Sequence, residues 1–362
     1  MPINVLICDD SALMRRNLSR IIEADSGLRV AGTARDGQDA LDKARELRPD
    51  VITMDINMPV IDGITALQII VQEGIAPVIM VSSLTQEGAA TTFQAMALGA
   101  FDYVPKPGGT VSVRMESAAH ELVSKIRAAA KPGTLKRLTK KSRPLERSQK
   151  TRTASRSTPP ASRTAPSGGA GLGYKAVAMG ISTGGPKTLF DVLPLLPRDL
   201  NAAVFLVQHM PGKFIPSFAK RIDDHCSMRC VEVAAGMDIE PGVIYIGTGG
   251  YHLTLYKKLS RQIVIRTPKQ PVHQFIPSVD IMMQSVLEVF GTDTIGVLMT
   301  GMGDDGADSM VAIHQAGGIT IAESEESAIV FGMPQEAIKR GGARIITPSW
   351  DIAAEIVKAV GK

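Results

Sequence analysis

Residues 176–188 read AVAMGISTGGPKT: an apolar run, a serine set among glycines, then a proline and a lysine. The run has the composition of a buried strand and the glycines permit a tight turn. Pro186 suits the first turn of a helix, where a missing N–H costs nothing. Strand, turn and helix in succession predict an α/β layer, and the pattern extends in both directions. Downstream, AAVFLVQ (202–208), TIGVLMT (294–300) and GITIAE (318–323) read as further strands, separated by helical spacings at 213–225, 278–291 and 306–317. Between them GVIYIG (242–247), HLTLYK (252–257) and RQIVIRT (261–267) are short and punctuated by glycine, as antiparallel ribbons are. The C-terminal half, 173–362, is predicted to be a doubly wound α/β domain with a β-hairpin insertion.

Upstream, residues 1–131 show a second, independent alternation. INVLIC (3–8), LRVAGTA (28–34), VITMDI (51–56), APVIMVSS (76–83) and FDYVPK (101–106) are strands with amphipathic helices between them. This predicts a flavodoxin-like, doubly wound parallel sheet, whose chemistry gathers beyond the carboxyl ends of the strands. Asp9 and Asp10 follow the first strand, Asp55 ends the third, Ser82 the fourth and Lys106 the fifth. Single acids at strand ends are often helix N-caps, but five chemistry-bearing positions at strand exits call for a common purpose. Carboxylates converging on one edge repel unless a cation joins them, and all-oxygen ligation favours Mg²⁺ at Asp9, Asp10 and Asp55. Asp55 then serves as a nucleophile for a phosphoryl group, with Lys106 neutralising the added charge and the Ser82 hydroxyl bonding a phosphoryl oxygen.

Residues 132–172 separate the two halves and account for the chain's apparent basicity. Between residues 131 and 166 lie eleven Lys or Arg and one acid, Glu146; without them 29 basic residues face 35 acidic ones, a net of −6. Rich in Ser, Thr, Pro and Gly, this stretch is expected to be a flexible, disordered, basic linker. It has no aromatic residue to stack on bases, so nucleic acid is not an expected partner. No apolar stretch is long enough to span a bilayer and no signal peptide is evident. The three cysteines, Cys8, Cys226 and Cys230, read as reduced structural thiols. A cytoplasmic location is expected, without membrane insertion.

Two phosphate-binding readings of the Ser182 loop fail on spacing. Glycines 180 and 185 are separated as in a Walker loop, but Pro186 stands where the lysine belongs. GISTGG also lacks the G-x-G-x-x-G of a dinucleotide site. GISTG does match G-x-S-x-G, a turn that lifts a serine hydroxyl above the sheet. His209, directly after the strand 202–208, is the candidate base, and Asp304 or Asp305 in the glycine-rich turn after 294–300 is the candidate acid. The oxyanion would meet backbone N–H groups at the helix start, by position that of Thr183.

CDDS, MDINMPVIDG, VSS and VPKP in the first half closely resemble the response-regulator receiver domain. GISTGG, QHMP, PGVIYIGTGGYHL, PSVD and LMTGMGDDGADSM in the second resemble the catalytic domain of the chemotaxis protein-glutamate methylesterase family, CheB. The resemblance implies phosphorylation of Asp55 by a histidine kinase, with the backbone carbonyl of Asn57 as a further metal ligand. It also implies a triad of Ser182, His209 and Asp305, chosen over Asp304 because it directly precedes Gly306, and an oxyanion donor at the Met302 N–H. The implied activity is hydrolysis of glutamate methyl esters, and deamidation of glutamines, on methyl-accepting chemotaxis receptors, with no cofactor for the esterase step. One departure is that Phe275 occupies a position where many members carry histidine, which leaves the role of His273 open. The competing readings are a receiver with a DNA-binding output and a non-catalytic signalling scaffold.

Overall fold

The computed structural model describes residues 1–82, 86–106, 112–139, 172–260 and 262–361. In the first half β1 (Ile3–Cys8), β2 (Leu28–Ala34), β3 (Val51–Asp55), β4 (Val78–Ser82) and β5 (Asp102–Pro105) form a parallel sheet in the order β2-β1-β3-β4-β5. Five helices pack on it: α1 (Ala12–Glu23), α2 (Gly37–Leu47), α3 (Gly63–Glu73), α4 (Gln86–Ala97) and α5 (Ser112–Ala129). Ser11, Asp36 and Asp62 cap α1, α2 and α3 by accepting from backbone N–H groups three residues on. The N-cap reading thus holds for neighbours of the acidic cluster but not for its members. Strand order reverses between β1 and β3, and the exits of those two strands carry Asp9, Asp10 and Asp55.

The second half contains a seven-stranded sheet in the order β14-β13-β12-β6-β7-β9-β8, with every pairing parallel. Its strands are β6 (Lys175–Ile181), β7 (Ala202–Gln208), β8 (Arg229–Glu232), β9 (Val243–Ile246), β12 (Thr294–Leu298), β13 (Ile319–Glu323) and β14 (Ile345–Thr347). β10 (Thr254–Lys257) and β11 (Ile263–Arg266) form a separate antiparallel hairpin. The reading of 242–247 as part of the ribbons is corrected. Val243–Ile246 is β9, buried at all four residues and paired in parallel with β7 and β8. A run apolar on both faces belongs inside a parallel sheet, whereas a ribbon leaves one face in water.

A second difference falls at the start of the predicted linker. Thr134–Thr139 forms a short helix, α6, with Thr134 and Leu138 buried. The Lys187 ammonium, on the other half of the molecule, donates to the Leu138 carbonyl. Residues 140–171, the remainder of the expected tether, lie outside the described residues, as does Pro107.

The two halves pack through one face of the first. Phe93 of α4 stacks on Phe218, Tyr103 of β5 stacks on Phe214, and the centroids lie 5.1 and 4.9 Å apart. Ile329 and Val330 join a single buried cluster with Ala128, Ala129 and Leu138. Aromatic pairs contribute about 0.5–1.5 kcal/mol beyond the area they bury, so this contact is a packed interface, not a loose tether.

Candidate active site and phosphorylation site

Ser182 follows β6, His209 follows β7 and Asp305 lies in the turn after β12, so neighbouring strands of one sheet deliver all three. The turn after β6 is tight because Gly184 takes φ 78°, a left-handed conformation that side chains resist, before helix α7 (Gly185–Val192) begins, with Pro186 in its first turn. At the exit of β12, a Cβ on Gly301 would stand 2.8 Å from the Ser182 Cβ. Only glycine lets the two turns approach so closely. The Ser182 N–H donates to the Thr300 carbonyl at 2.9 Å, and the Gln208 side-chain amide donates to the carbonyls of both Ser182 and His209.

His209 Nε2 lies 2.8 Å from Asp305 Oδ2. The other ring nitrogen, Nδ1, is buried without a hydrogen-bond partner. Asp305 also accepts from the Ser278 hydroxyl at 2.8 Å and from the N–H groups of Val279 and Asp280, at the start of helix α9 (Val279–Phe290). Burial alone would raise this carboxyl, but the imidazole and the helix-start N–H groups outweigh it and hold it down to about 2. Asp304 instead pairs with Arg340 at 2.6 Å on the surface. The geometry therefore separates the two acids that the residues alone left open.

Ser182, Thr183, His209 and Met302 line one cleft of about 510 Å³. Within the described residues no hydrogen bond uses the N–H of Thr183 or of Met302, so two amide donors remain available there. The opposite wall comes from the first half of the chain: Asp102, Tyr103, Glu121 and Lys125. Lys125 is buried, donating to the Tyr103 carbonyl at 2.6 Å and pairing with Glu121 at 2.7 Å and Asp102 at 3.2 Å.

Phe275 lies flat against His209, with centroids 4.2 Å apart and planes 9° from parallel. His273 is not among the residues lining the cleft; its Nδ1 meets the backbone of Phe275 at 3.2 Å and so shapes the loop that carries the phenyl ring. His252 is buried, its Nδ1 accepting from the Ser278 N–H and its Nε2 facing the Pro271 carbonyl. Phe275 stood out in the sequence only as a departure from the family pattern, and Ser278 and Gln208 were not singled out. Of the latter two, Gln208 left a trace, as a polar residue closing an otherwise apolar strand.

In the first half Asp9, Asp10 and Asp55 each offer a carboxylate oxygen within 4.8 Å of the others. Lys106 Nζ lies 2.8 Å from Asp55 Oδ2 and 3.3 Å from Asp9 Oδ2, the latter oxygen being buried and lacking a well-formed hydrogen bond. Burial raises the Asp9 carboxyl above its ordinary value. It would lower the Lys106 ammonium, but the two carboxylates prevail and hold that group above its usual range. Ser82 is buried at the end of β4 and its Oγ accepts from the Thr92 hydroxyl at 2.9 Å. Asn57 is exposed two residues beyond Asp55.

Residues 177–356 match the CheB methylesterase family, and residues 5–116 match the response regulator receiver domain. Over 362 residues the chain is 58% identical to the protein-glutamate methylesterase/protein-glutamine glutaminase 3 of Syntrophomonas wolfei, covering 99% of this chain and 100% of that one. It is 48% identical to the protein-glutamate methylesterase/protein-glutamine glutaminase of Caldanaerobacter subterraneus, covering 99% and 97% of the two chains. The CheB methylesterase catalytic domain of Thermotoga maritima is similar at 34% identity with a TM-score of 0.51, spanning 52% of this chain and 100% of that structure.

Proposed function

Because this chain belongs to the CheB methylesterase family, we propose that it is a phosphorylation-regulated serine hydrolase that demethylates glutamate side chains and deamidates glutamines on chemoreceptors. The observation that carries the proposal is the 2.8 Å contact of His209 with Asp305 in a cleft shared with Ser182. In this reading Ser182 Oγ attacks the side-chain carbonyl and passes its proton to His209, whose Nδ1 is the ring nitrogen not engaged by Asp305. Asp305 fixes the tautomer and stabilises the imidazolium. The N–H groups of Thr183 and Met302 receive the negative oxygen of the tetrahedral intermediate. His209 returns the proton to the leaving oxygen of the ester, which departs as methanol, or to the leaving nitrogen of glutamine, which departs as ammonia. Water, deprotonated by the same imidazole, then cleaves the acyl-serine and leaves a glutamate carboxylate.

The receiver supplies regulation. Asp55 accepts a phosphoryl group from a histidine kinase, and Lys106 and Ser82 answer the new charge. Asp9, Asp10, Asp55 and the Asn57 carbonyl would hold Mg²⁺, for which an all-oxygen donor set with one buried carboxylate oxygen lacking a well-formed hydrogen bond is suited. The ion would offset charge on the transferring group; the chain's own part is to present the Asp55 carboxylate and the Lys106 ammonium. The receiver walls one side of the esterase cleft, so phosphorylation relieves inhibition by loosening the Phe93–Phe218 and Tyr103–Phe214 contacts. No helix among the described residues is long and apolar enough to cross a membrane, and the enzyme meets its substrates from the cytoplasm.

The test is methanol release from methylated receptor fragments. Wild type with a phosphodonor should release it, Ser182→Ala should not, and Asp55→Ala should remain at the unphosphorylated rate. Release by Ser182→Ala at the wild-type rate would overturn the assignment of the nucleophile.

A further inference from the structure

From residue 241 to residue 279 the chain carries five Lys or Arg and no Asp or Glu, although the chain outside residues 131–166 is acidic overall. Four of these cations are described: Lys257, Lys258, Arg266 and Lys269, all exposed on the β10–β11 hairpin and the irregular segment that follows it. Among the described residues none of the four pairs with a carboxylate; Lys258 bonds only the Gln262 amide oxygen. Two are laid against exposed tyrosines, Arg266 at 3.4 Å over the Tyr256 ring and Lys269 at 5.1 Å over Tyr251. A cation on an aromatic face keeps its charge while giving up side-chain freedom in advance. Leu259 and Val272 add exposed apolar surface to the same patch.

The patch runs directly into the active cleft. The His252 N–H donates to the Pro268 carbonyl and the Gly250 N–H to the Ile276 carbonyl, which ties the Tyr251 turn to residues 268–276. That stretch carries Gln274 and Phe275 into the cleft wall. The proposed reaction turns a neutral ester or amide into a carboxylate at each event, so its protein partner becomes more acidic as the reaction proceeds. We propose that the β10–β11 hairpin and residues 267–274 form the docking surface for an acidic segment of the protein substrate. This rests on the esterase reading and adds the place where the substrate is held. Such a surface speeds encounter and sets KM, leaving the chemical step to the triad.

The experiment uses the full chain and two peptides of equal length, each with one glutamate methyl ester: one rich in Asp and Glu, the other with Asn and Gln in their place. Wild type is expected to prefer the acidic peptide about tenfold in kcat/KM at low salt, the difference lying in KM and fading as salt is added. The Lys257→Glu, Lys258→Glu, Lys269→Glu variant is expected to lose or reverse that preference, a ratio unaffected by the fraction of folded protein. Anisotropy of the same labelled peptides on Ser182→Ala protein reads the preference without turnover. Absence of methanol from both peptides therefore strikes the esterase reading, whereas equal binding of both strikes the docking surface. The proposal is overturned if the variant keeps the wild-type preference. It is also overturned if charge reversal abolishes binding of duplex RNA or phosphatidylserine vesicles while peptide binding is unmoved.

Discussion

His209 Nε2 stands 2.8 Å from Asp305 Oδ2, and that oxygen also accepts the N–H of Val279 at 2.7 Å. His209, the proposed base, is thus tied through Asp305 to the first turn of α9, where Ser278 caps the helix and donates to the other carboxylate oxygen. With its carboxyl held down to about 2, Asp305 is ionised at neutral pH. Replacing it by Asn removes the charge and disturbs the tautomer while preserving shape. Asp305→Asn is expected to lower kcat by about 10³–10⁴ with KM nearly unchanged, the scale seen when a triad acid is neutralised. Steady-state methanol release checks this, and a loss below tenfold would remove Asp305 from the mechanism.

Phe275 covers one face of the imidazole at 4.2 Å. A stacked pair of this kind contributes about 0.5–1.5 kcal/mol, which here goes into holding the ring plane that aims Nδ1. Phe275→Ala is expected to cut kcat about two- to tenfold at constant KM, and Phe275→Tyr to restore it. Equal damage by Ala and Tyr would mean that the ring fills space without aiming the base.

The positions of Ser182, His209 and Asp305 were legible because each sits where an apolar run stops, and strand exits of a doubly wound sheet share an edge. The receiver acids were legible for the same reason. What the sequence could not disclose is contact between distant segments. Phe93 and Phe218 read as ordinary apolar positions on two helices, yet each completes the other's packing across the interface. Thr134–Thr139 reads as linker because its composition is polar and basic, but Leu138 is buried and Lys187 holds its carbonyl. Ser278 is one residue of the PSVD motif in the sequence, and only the fold brings its hydroxyl to Asp305. The β9 strand was assigned to the ribbon because periodicity in four residues cannot separate a ribbon from a buried strand.

Phe93 offers a direct test of inhibition by the receiver, since it meets Phe218 at 5.1 Å and Phe214 at 6.1 Å and belongs to neither catalytic cluster. Two aromatic pairs amount to about 1–3 kcal/mol. Phe93→Ala, placed in an Asp55→Ala background to exclude phosphorylation, is expected to raise the basal esterase rate about tenfold. Methanol release without phosphodonor measures it. An unchanged rate would mean that the receiver leaves the cleft accessible as it stands.

Glu323 supplies a pH dependence of stability with a definite sign. It is fully buried at the end of β13, with Oε2 accepting from the Thr300 N–H and Oε1 from the Ser327 hydroxyl, both at 2.8 Å. Burial outweighs these donors and pushes the carboxyl from 4.5 up to about 7. Below the lower value folded and unfolded chains both hold the proton, and the contribution to stability is full. Between the two values the unfolded chain releases the proton and the folded one keeps it, so stability falls as pH rises, and the loss is complete above the higher value. At about 1.4 kcal/mol per pH unit the whole effect is on the order of 3 kcal/mol. Glu323→Gln keeps an acceptor for Thr300, whose carbonyl in turn holds the Ser182 N–H. Urea unfolding is expected to show this slope in wild type and not in the variant, leaving the variant the more stable protein at pH of about 8. Parallel curves for the two proteins would mean that Glu323 enters the folded state already ionised.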